Sequence, residues 1–327
     1  DTFVRIKASA AGILAEDWQS DRLVQRVENI YSGMMTIPLR DEQAMQLSAK
    51  FSTGRIPIDE LGLDMVALDV MPNMCVTLTW SDDKHALAIY KKADRQLVLV
   101  KKPGPREDDW REKVRPINPE QAFAYSMLKD PTIQLVSLMG IAGTGKTLMA
   151  LLAGYDQVKA GKYKRILVWR STQIVGERDL GYYPGTLEEK FAPYARPVLR
   201  AFQKAVGPED KGVEIDYEKG LVTSKFFSIE PILHIQGSTE EDTFLIIDEV
   251  QNLTPNEMKA ILTRAGVGTK VVLTGDVEQV TNRFLDAISN GLTFTVERWR
   301  DSERAGHVTL FRSERSELVE EATQRMR

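Results

Sequence analysis

The sequence predicts an α/β fold in which a parallel sheet carries helices on both faces, and three observations support that prediction. Five short runs, "IQLVSLM" (133–139), "RILVW" (165–169), "TFLIIDE" (243–249), "KVVLTGD" (270–276) and "HVTLF" (307–311), are almost continuously apolar. That is the pattern of strands buried on both faces. They alternate with helical stretches, as parallel crossovers require. The first run also leads directly into a glycine-rich turn at 140–147, and the helical "TLMALLAGYDQVKAG" follows it.

Taken in order, residues 1 to about 32 read as helix interrupted at Gly12. Between 34 and 103, "CVTLTW", "HALAIYKK" and "QLVLVKK" are strand-like runs parted by "SDDK" and "KADR" turns, which predicts a small antiparallel meander. "KKPGPREDDWREKVRP" reads as a linker ending near Pro116. The expected organisation is therefore a helical segment at 1–33, a small β-rich region with its linker at 34–116, and the α/β domain at 117–327. Within that domain, Asn118-Pro119-Glu120-Gln121 and Thr254-Pro255-Asn256-Glu257 each place a capping residue before a proline at the first helical position.

Composition bounds the function. A chain of 327 residues, 43% hydrophobic and 28% charged, buries a full core. With 43 Lys+Arg against 47 Asp+Glu the net charge is −4, so any nucleic-acid site must be a local patch rather than a global field. The single cysteine, Cys75, allows no internal disulfide and no zinc site, which points to a reducing compartment. No apolar stretch approaches the roughly 20 residues of a membrane span. A cytoplasmic protein with no membrane contact is expected. The opening "DTFVRIKASAAGILAEDW" lacks a methionine, as expected of a piece of a longer protein.

The glycine-rich turn, Gly140, Ile141, Ala142, Gly143, Thr144, Gly145, Lys146 and Thr147, matches the phosphate-binding pattern G-x-x-x-x-G-K-[ST]. Its glycines let consecutive N–H groups point at phosphate oxygens, and the following helix adds its positive end. Lys146 would reach the β and γ phosphates, and the Thr147 hydroxyl would ligate Mg²⁺. "FLIIDEVQ" ends an apolar strand in Asp248 and Glu249, where parallel sheets present ligands. Asp248 would hold the metal through water, and Glu249 would orient and deprotonate an attacking water; the alternative is two solvated acids at a strand end. In "VVLTGDVEQ", Gln279 lies three residues past Asp276, where its amide could contact both a γ-phosphate and the lytic water or merely cap the loop.

Taken together, GIAGTGKT, DEVQ, TGDVEQ and "ILVWRSTQIVGERDLGYYPGTLEEKFAPYARPV" resemble the PhoH-like ATPase family, whose most recognisable signature runs from the second strand through an LGYYPG-type turn to EEK. The tail "NGLTFTVERWRDSERAGHVTLFRSERSELVEEA" is similar to the end of two-domain proteins that join a PIN nuclease domain to a PhoH domain. The first 30 residues resemble the last strand and helix of such a PIN domain. The resemblance is closest over 117–327 and looser over 1–116. It implies a RecA-like lobe with motifs similar to those of superfamily one helicases, ATP with Mg²⁺, and a hexameric homo-oligomeric ring whose neighbours complete each site. It further implies RNA unwinding coupled to RNA cutting in the full-length protein; at most Asp1 of the nuclease acids is present here.

Carried over residue by residue, Lys146, Thr147, Asp248, Glu249 and Gln279 keep the roles above. Gln121 resembles the family glutamine that reads adenine at N6 and N7, and it is equally the third position of a capping box. Arg298 in "VERW" and Arg315 in "RSERSEL" are the candidate γ-phosphate arginines, with ordinary solvated arginines as the alternative. Three departures from the family stand out: Gln236-Gly237-Ser238 replaces an R-G-R-type pair, Trp169-Arg170-Ser171 replaces T-R-P or F-R-P, and DEVQ replaces DEAQ. They leave the ATP chemistry intact and bear on RNA contacts.

For single-stranded RNA, Arg170, Arg178 and the "KAGKYKR" turn at 159–165 are the candidate phosphate contacts, against a solvated basic turn. Trp169 or Tyr182-Tyr183 could stack a base, against membership of the core. Three classes of function follow: an RNA-dependent ATP-driven motor, a phosphotransferase, and a ring-forming nucleotide-sensing scaffold without unwinding activity. Glu249 beside Asp248 has little use in the second.

Overall fold

The computed structural model describes residues 7, 11, 23–81, 84–100, 114–171, 187–207, 212–232, 239–314 and 325. The sequence-predicted helical segment before residue 23, the linker at 101–113, Arg178, Tyr182-Tyr183, Gln236 to Ser238 and Arg315 lie outside them.

Two sheets form. The first comprises β1 (Met34–Pro38), β2 (Arg55–Pro57), β3 (Cys75–Trp80), β4 (Lys84–Lys91) and β5 (Gln96–Leu99), in the order β1-β3-β4-β5-β2, with helix α1 (Asp41–Ala49) between β1 and β2. Strands β3, β4 and β5 are the antiparallel meander anticipated from three strand-like runs and the turns between them. The edges were not anticipated: β1 runs parallel to β3, and β2 is a three-residue strand ending in proline.

The second sheet forms the larger lobe. Helix α2 (Pro119–Lys129) leads to β6 (Leu135–Gly140), α3 (Lys146–Lys159), β7 (Arg165–Arg170) and α4 (Leu187–Val206). The antiparallel pair β8 (Val213–Asp216) and β9 (Leu221–Ser224) precedes β10 (Phe227–Pro231). Then come β11 (Thr243–Asp248), α5 (Pro255–Leu262), β12 (Lys270–Gly275), α6 (Gly291–Trp299) and β13 (Ala305–Leu310). The strand order is β10-β7-β11-β12-β6-β13, and every pairing is parallel. Five of these six strands are the five apolar runs. The sixth, β10, has Ser228 and Glu230 in "FSIEP" and sits at an edge, so it shows no continuous apolar run.

Why the central strands read as unbroken apolar runs is visible in their side-chain parity. Val136, Leu138, Ile166, Val168, Phe244, Ile246 and Val272 face a core built with α2, α3 and α4. Their neighbours Leu135, Leu167, Trp169, Leu245, Ile247, Val271 and Leu273 face the opposite core with Met258, Ile261, Leu292 and Val296 of α5 and α6. This is a RecA-like α/β fold: β12 is inserted between the strand that carries the phosphate loop and the strand that ends in the acidic pair, and a crevice opens beyond the carboxyl ends.

The first sheet joins the larger lobe rather than standing apart. Cys75, Leu87 and Ile89 share one core with Phe123 and Met127. Asn73 Nδ2 donates to the carbonyls of Glu303 and Ala305, each at 2.8 Å, and Lys91 Nζ reaches Asn73 Oδ1 at 2.8 Å and Asp130 at 2.6 Å. The Ser32 carbonyl accepts from the Thr309 N–H at 3.0 Å, and that of Gly33 from the Cys75 N–H at 2.9 Å. Gly33 is in the left-handed region at φ 72°, and a Cβ there would overlap the His307 carbonyl.

His307 lies beneath this seam. Its Nδ1 is 2.8 Å from Ser137 Oγ and its Nε2 3.0 Å from Thr309 Oγ1. Burial pushes its pKa down from 6.5 to about 3. A base depressed in the folded state contributes full stability above its unfolded pKa and loses it as the pH falls from 6.5 toward 3. At pH 5 the expected loss is about 2 kcal/mol relative to neutral pH. Denaturant unfolding at pH 7, 6 and 5 should show this slope, and His307→Gln should reduce it by about one proton. An unchanged slope in the variant would place the proton uptake elsewhere.

Candidate active site

The phosphate loop is shaped from its carbonyl side. Lys146 Nζ donates to the carbonyls of Gly140 and Ile141 at 2.6 and 2.8 Å. Ser313 Oγ donates to Ala142 O at 3.4 Å, the Glu314 N–H to Gly143 O at 3.2 Å, and Gln121 Nε2 to Thr144 O at 3.1 Å. Five consecutive carbonyls thus face the surrounding protein. The amides of Gly143, Thr144 and Gly145 donate to nothing among the described residues, the polarity an anion needs. Gly140 is obligatory, because a Cβ would overlap the Leu310 carbonyl on the neighbouring strand. Gly145, left-handed at φ 89°, turns the loop into α3. Lys146 folds back on its own loop and must release these carbonyls to reach a phosphate.

Opposite the loop stands the acidic pair. Thr147 Oγ1 donates to Asp248 Oδ1 at 3.2 Å, and Thr274 Oγ1 donates to the same oxygen at 2.5 Å. The other Asp248 oxygen is held by Arg170, whose second nitrogen lies 3.1 Å from Glu249 Oε1. Glu249 is left-handed at φ 61°, an unfavourable conformation for a residue with a Cβ and one found where neighbours over-determine the geometry. Gln251 is one such neighbour: its Nε2 donates to Glu249 Oε2 at 2.7 Å and to the Gln279 carbonyl at 3.4 Å, and its Oε1 accepts from the Asp276 N–H at 3.1 Å. The Gln279 side chain itself is exposed. Thr147 and Asp248 offer only oxygen to a cation, which suits Mg²⁺ completed by phosphate oxygens and water.

Other predicted residues fall differently. Gln121 is buried, and its amide is engaged at each end, accepting from the Ile117 N–H at 3.0 Å while donating to Thr144 O. It shapes the loop, leaving one hydrogen and one lone pair for any adenine. Arg170 is only 13% exposed and is ion-paired to both acids, so it does not face solvent as a nucleic-acid contact would. Trp169 is core, which removes it as a stacking platform. In the basic turn, Lys164 and Arg165 pair with Asp242 and Glu240 at the amino end of β7, away from the loop. Arg298 is exposed near the end of α6 with its guanidinium 5.4 Å from the Phe294 ring centre. The last turn of α6 packs beside Leu135, at the start of β6, so Arg298 is not brought to the loop of its own chain. Arg315 is outside the described residues, although the chain reaches the loop at Ser313 and Glu314.

Thr274 and Gln251, which hold the two acids, were not among the sequence candidates, and neither was Asp276. Asp276 is buried, accepts from the Ala142 N–H of the loop, and lies near Lys146. Burial raises its carboxyl pKa against the opposing hydrogen bonds and the lysine charge. The position rule that singled out Asp248, an acid ending a buried strand, applies to it equally.

Comparison with known proteins gives the same picture. A profile of the PhoH family, described as PhoH-like protein, matches residues 113–327. The chain is 36% identical over 321 residues to Protein PhoH2 of Bacillus subtilis, covering 98% of this chain and 70% of that one. Protein PhoH2 of Mycolicibacterium smegmatis is 31% identical over 320 residues, covering 98% and 67%. Among solved structures, the Pif1 helicase from Candida albicans aligns over 60% of this chain and 40% of its own at 16% identity with a TM-score of 0.29, too low to carry any argument. The family match spans the phosphate loop, the acidic strand and the whole parallel sheet, and similarity to PhoH2 proteins extends through the first sheet as well: the chain belongs to the PhoH family.

Proposed function

We propose that this chain hydrolyses ATP with Mg²⁺ between the phosphate loop and Asp248-Glu249, and that single-stranded RNA controls the rate. The observation that supports turnover most strongly is the arrangement of two acids with different tasks. Asp248, hydrogen-bonded by Thr147, would share a cation with it, whereas Glu249 has a left-handed backbone and accepts from Gln251. When bound, Mg²⁺ supplies charge that neutralises the β and γ phosphate oxygens, with Thr147 and Asp248 as its protein ligands. Lys146 binds the same phosphates, and Glu249 takes the proton of the attacking water.

The route by which RNA would act on the rate is Gln251, which contacts both Glu249 and the Gln279 carbonyl. A shift of the 276–279 loop would be felt at the catalytic base. In this reading the assembly is a hexameric ring, and Arg298, remote from its own loop, serves a neighbour's nucleotide; residues 1–33 are the end of a PIN nuclease domain in a longer cytoplasmic protein. Unwinding of RNA is the expected output. The alternative, a nucleotide-sensing scaffold, draws on the Arg170 contacts, which neutralise both acids without nucleotide.

The test is steady-state ATP hydrolysis with and without single-stranded RNA, in wild type and in Glu249→Gln. RNA stimulation that vanishes in the variant supports the motor. Turnover indifferent to RNA, with the variant still inactive, favours the scaffold.

A further inference from the structure

A groove runs outward from the phosphate loop between the start of α3 and the middle of α4, enclosing about 330 Å³. One wall is formed by the loop and by Thr147 and Leu148; the other presents Pro197, Arg200, Ala201 and Lys204. Arg200 and Lys204 are four residues apart, so they share one helical face. Each is exposed, and neither makes an ion pair among the described residues. Buried Val198, Leu199, Phe202 and Ala205 anchor the other face of the same helix, so the two cations are held beside the loop by a fixed scaffold rather than by a loop of their own.

We propose that this groove is the subsite for the nucleoside end of the bound nucleotide, with Arg200 and Lys204 holding the α-phosphate and ribose and no side chain reading the base. The inference rests on the nucleotide-binding reading above. Two features support it. The groove continues directly from Gly143, Gly145, Lys146 and Thr147, so a ligand whose terminal phosphates fill the loop extends into it. Its side chains are aliphatic or cationic: Leu148, Pro197 and Ala201 can cover a base or sugar face, while the cations suit phosphate and hydroxyl oxygens. Of the lining side chains only Thr147 could accept from the adenine amino group, and its hydroxyl is turned to Asp248, while Gln121, the residue expected to read the base, does not line the groove. Adenine and guanine nucleotides should therefore bind alike.

The experiment is calorimetric titration of the full chain with unmodified ADP and GDP, in the absence of turnover. The Arg200→Gln/Lys204→Gln double variant should bind each nucleotide about tenfold more weakly. The charge-preserving Arg200→Lys/Lys204→Arg variant should stay close to wild type, and circular dichroism should confirm that all of them fold. Lys146→Ala, which should abolish binding, keeps the two readings separate. Wild type that binds no nucleotide overturns the nucleotide reading itself. Loss in Lys146→Ala with unchanged affinity in the double variant overturns only the groove. A loss confined to ADP overturns the absence of base reading. Weaker binding of a labelled uridine oligonucleotide at unchanged nucleotide affinity would assign the two cations to nucleic acid instead.

Discussion

Glu249→Gln is expected to lower ATP turnover by about a hundred- to ten-thousandfold while leaving nucleotide affinity within about twofold of wild type. The substitution changes one atom and keeps the shape. A glutamine carbonyl still accepts from Gln251 Nε2, now 2.7 Å from the carboxylate, so the orientation of the side chain survives. Its backbone cost at φ 61° is that of the glutamate it replaces. What is lost is the capacity to take a proton from water, together with the ion pair to Arg170. Phosphate release and equilibrium nucleotide binding, measured on the same preparation, separate these effects. A rate within tenfold of wild type would remove Glu249 as the base. A parallel loss of affinity would mean instead that its charge helps to build the binding site.

Much of this site was legible because strand burial and strand-end chemistry are both written locally. An apolar run ending in Asp248-Glu249 declares its sheet, and GIAGTGKT declares its loop through glycines that the backbone needs: at Gly140 a side chain would overlap the Leu310 carbonyl. What stayed hidden depends on neighbours distant in sequence. Arg170 reads as a cation at a strand end and could equally face RNA; only the pairing of β7 with β11, Arg170 beside Asp248, directs it to the acids. Gln121 shows the same limit. Its spacing after Asn118 announces a helix start, but its use as a support for Thr144 O needs the loop folded against it. Strand β10 escaped because an edge strand need not be apolar throughout.

Arg170→Ala should destabilise the nucleotide-free protein by about 3 kcal/mol or more, the usual consequence of leaving a buried charge without its partner. The guanidinium is 13% exposed and Asp248 is 5% exposed. Without it, Asp248 keeps only the hydroxyls of Thr147 and Thr274, and Glu249 only the amide of Gln251, so two adjacent carboxylates lose their shared counter-charge. Thermal melting should fall by several degrees. Arg170→Lys should recover part of the loss but not all, since an ammonium cannot span two carboxylates as a planar fork does. Millimolar Mg²⁺ should raise the melting temperature of the alanine variant more than that of wild type, because the variant leaves open the carboxylate oxygen that the guanidinium otherwise occupies. A wild-type melting temperature in Arg170→Ala, accompanied by weaker RNA binding, would return Arg170 to the role of a nucleic-acid contact. The predicted opposite, lower stability with a larger response to Mg²⁺, would mean that the resting site carries its own cation and that nucleotide with metal must displace the arginine before Asp248 and Glu249 can act.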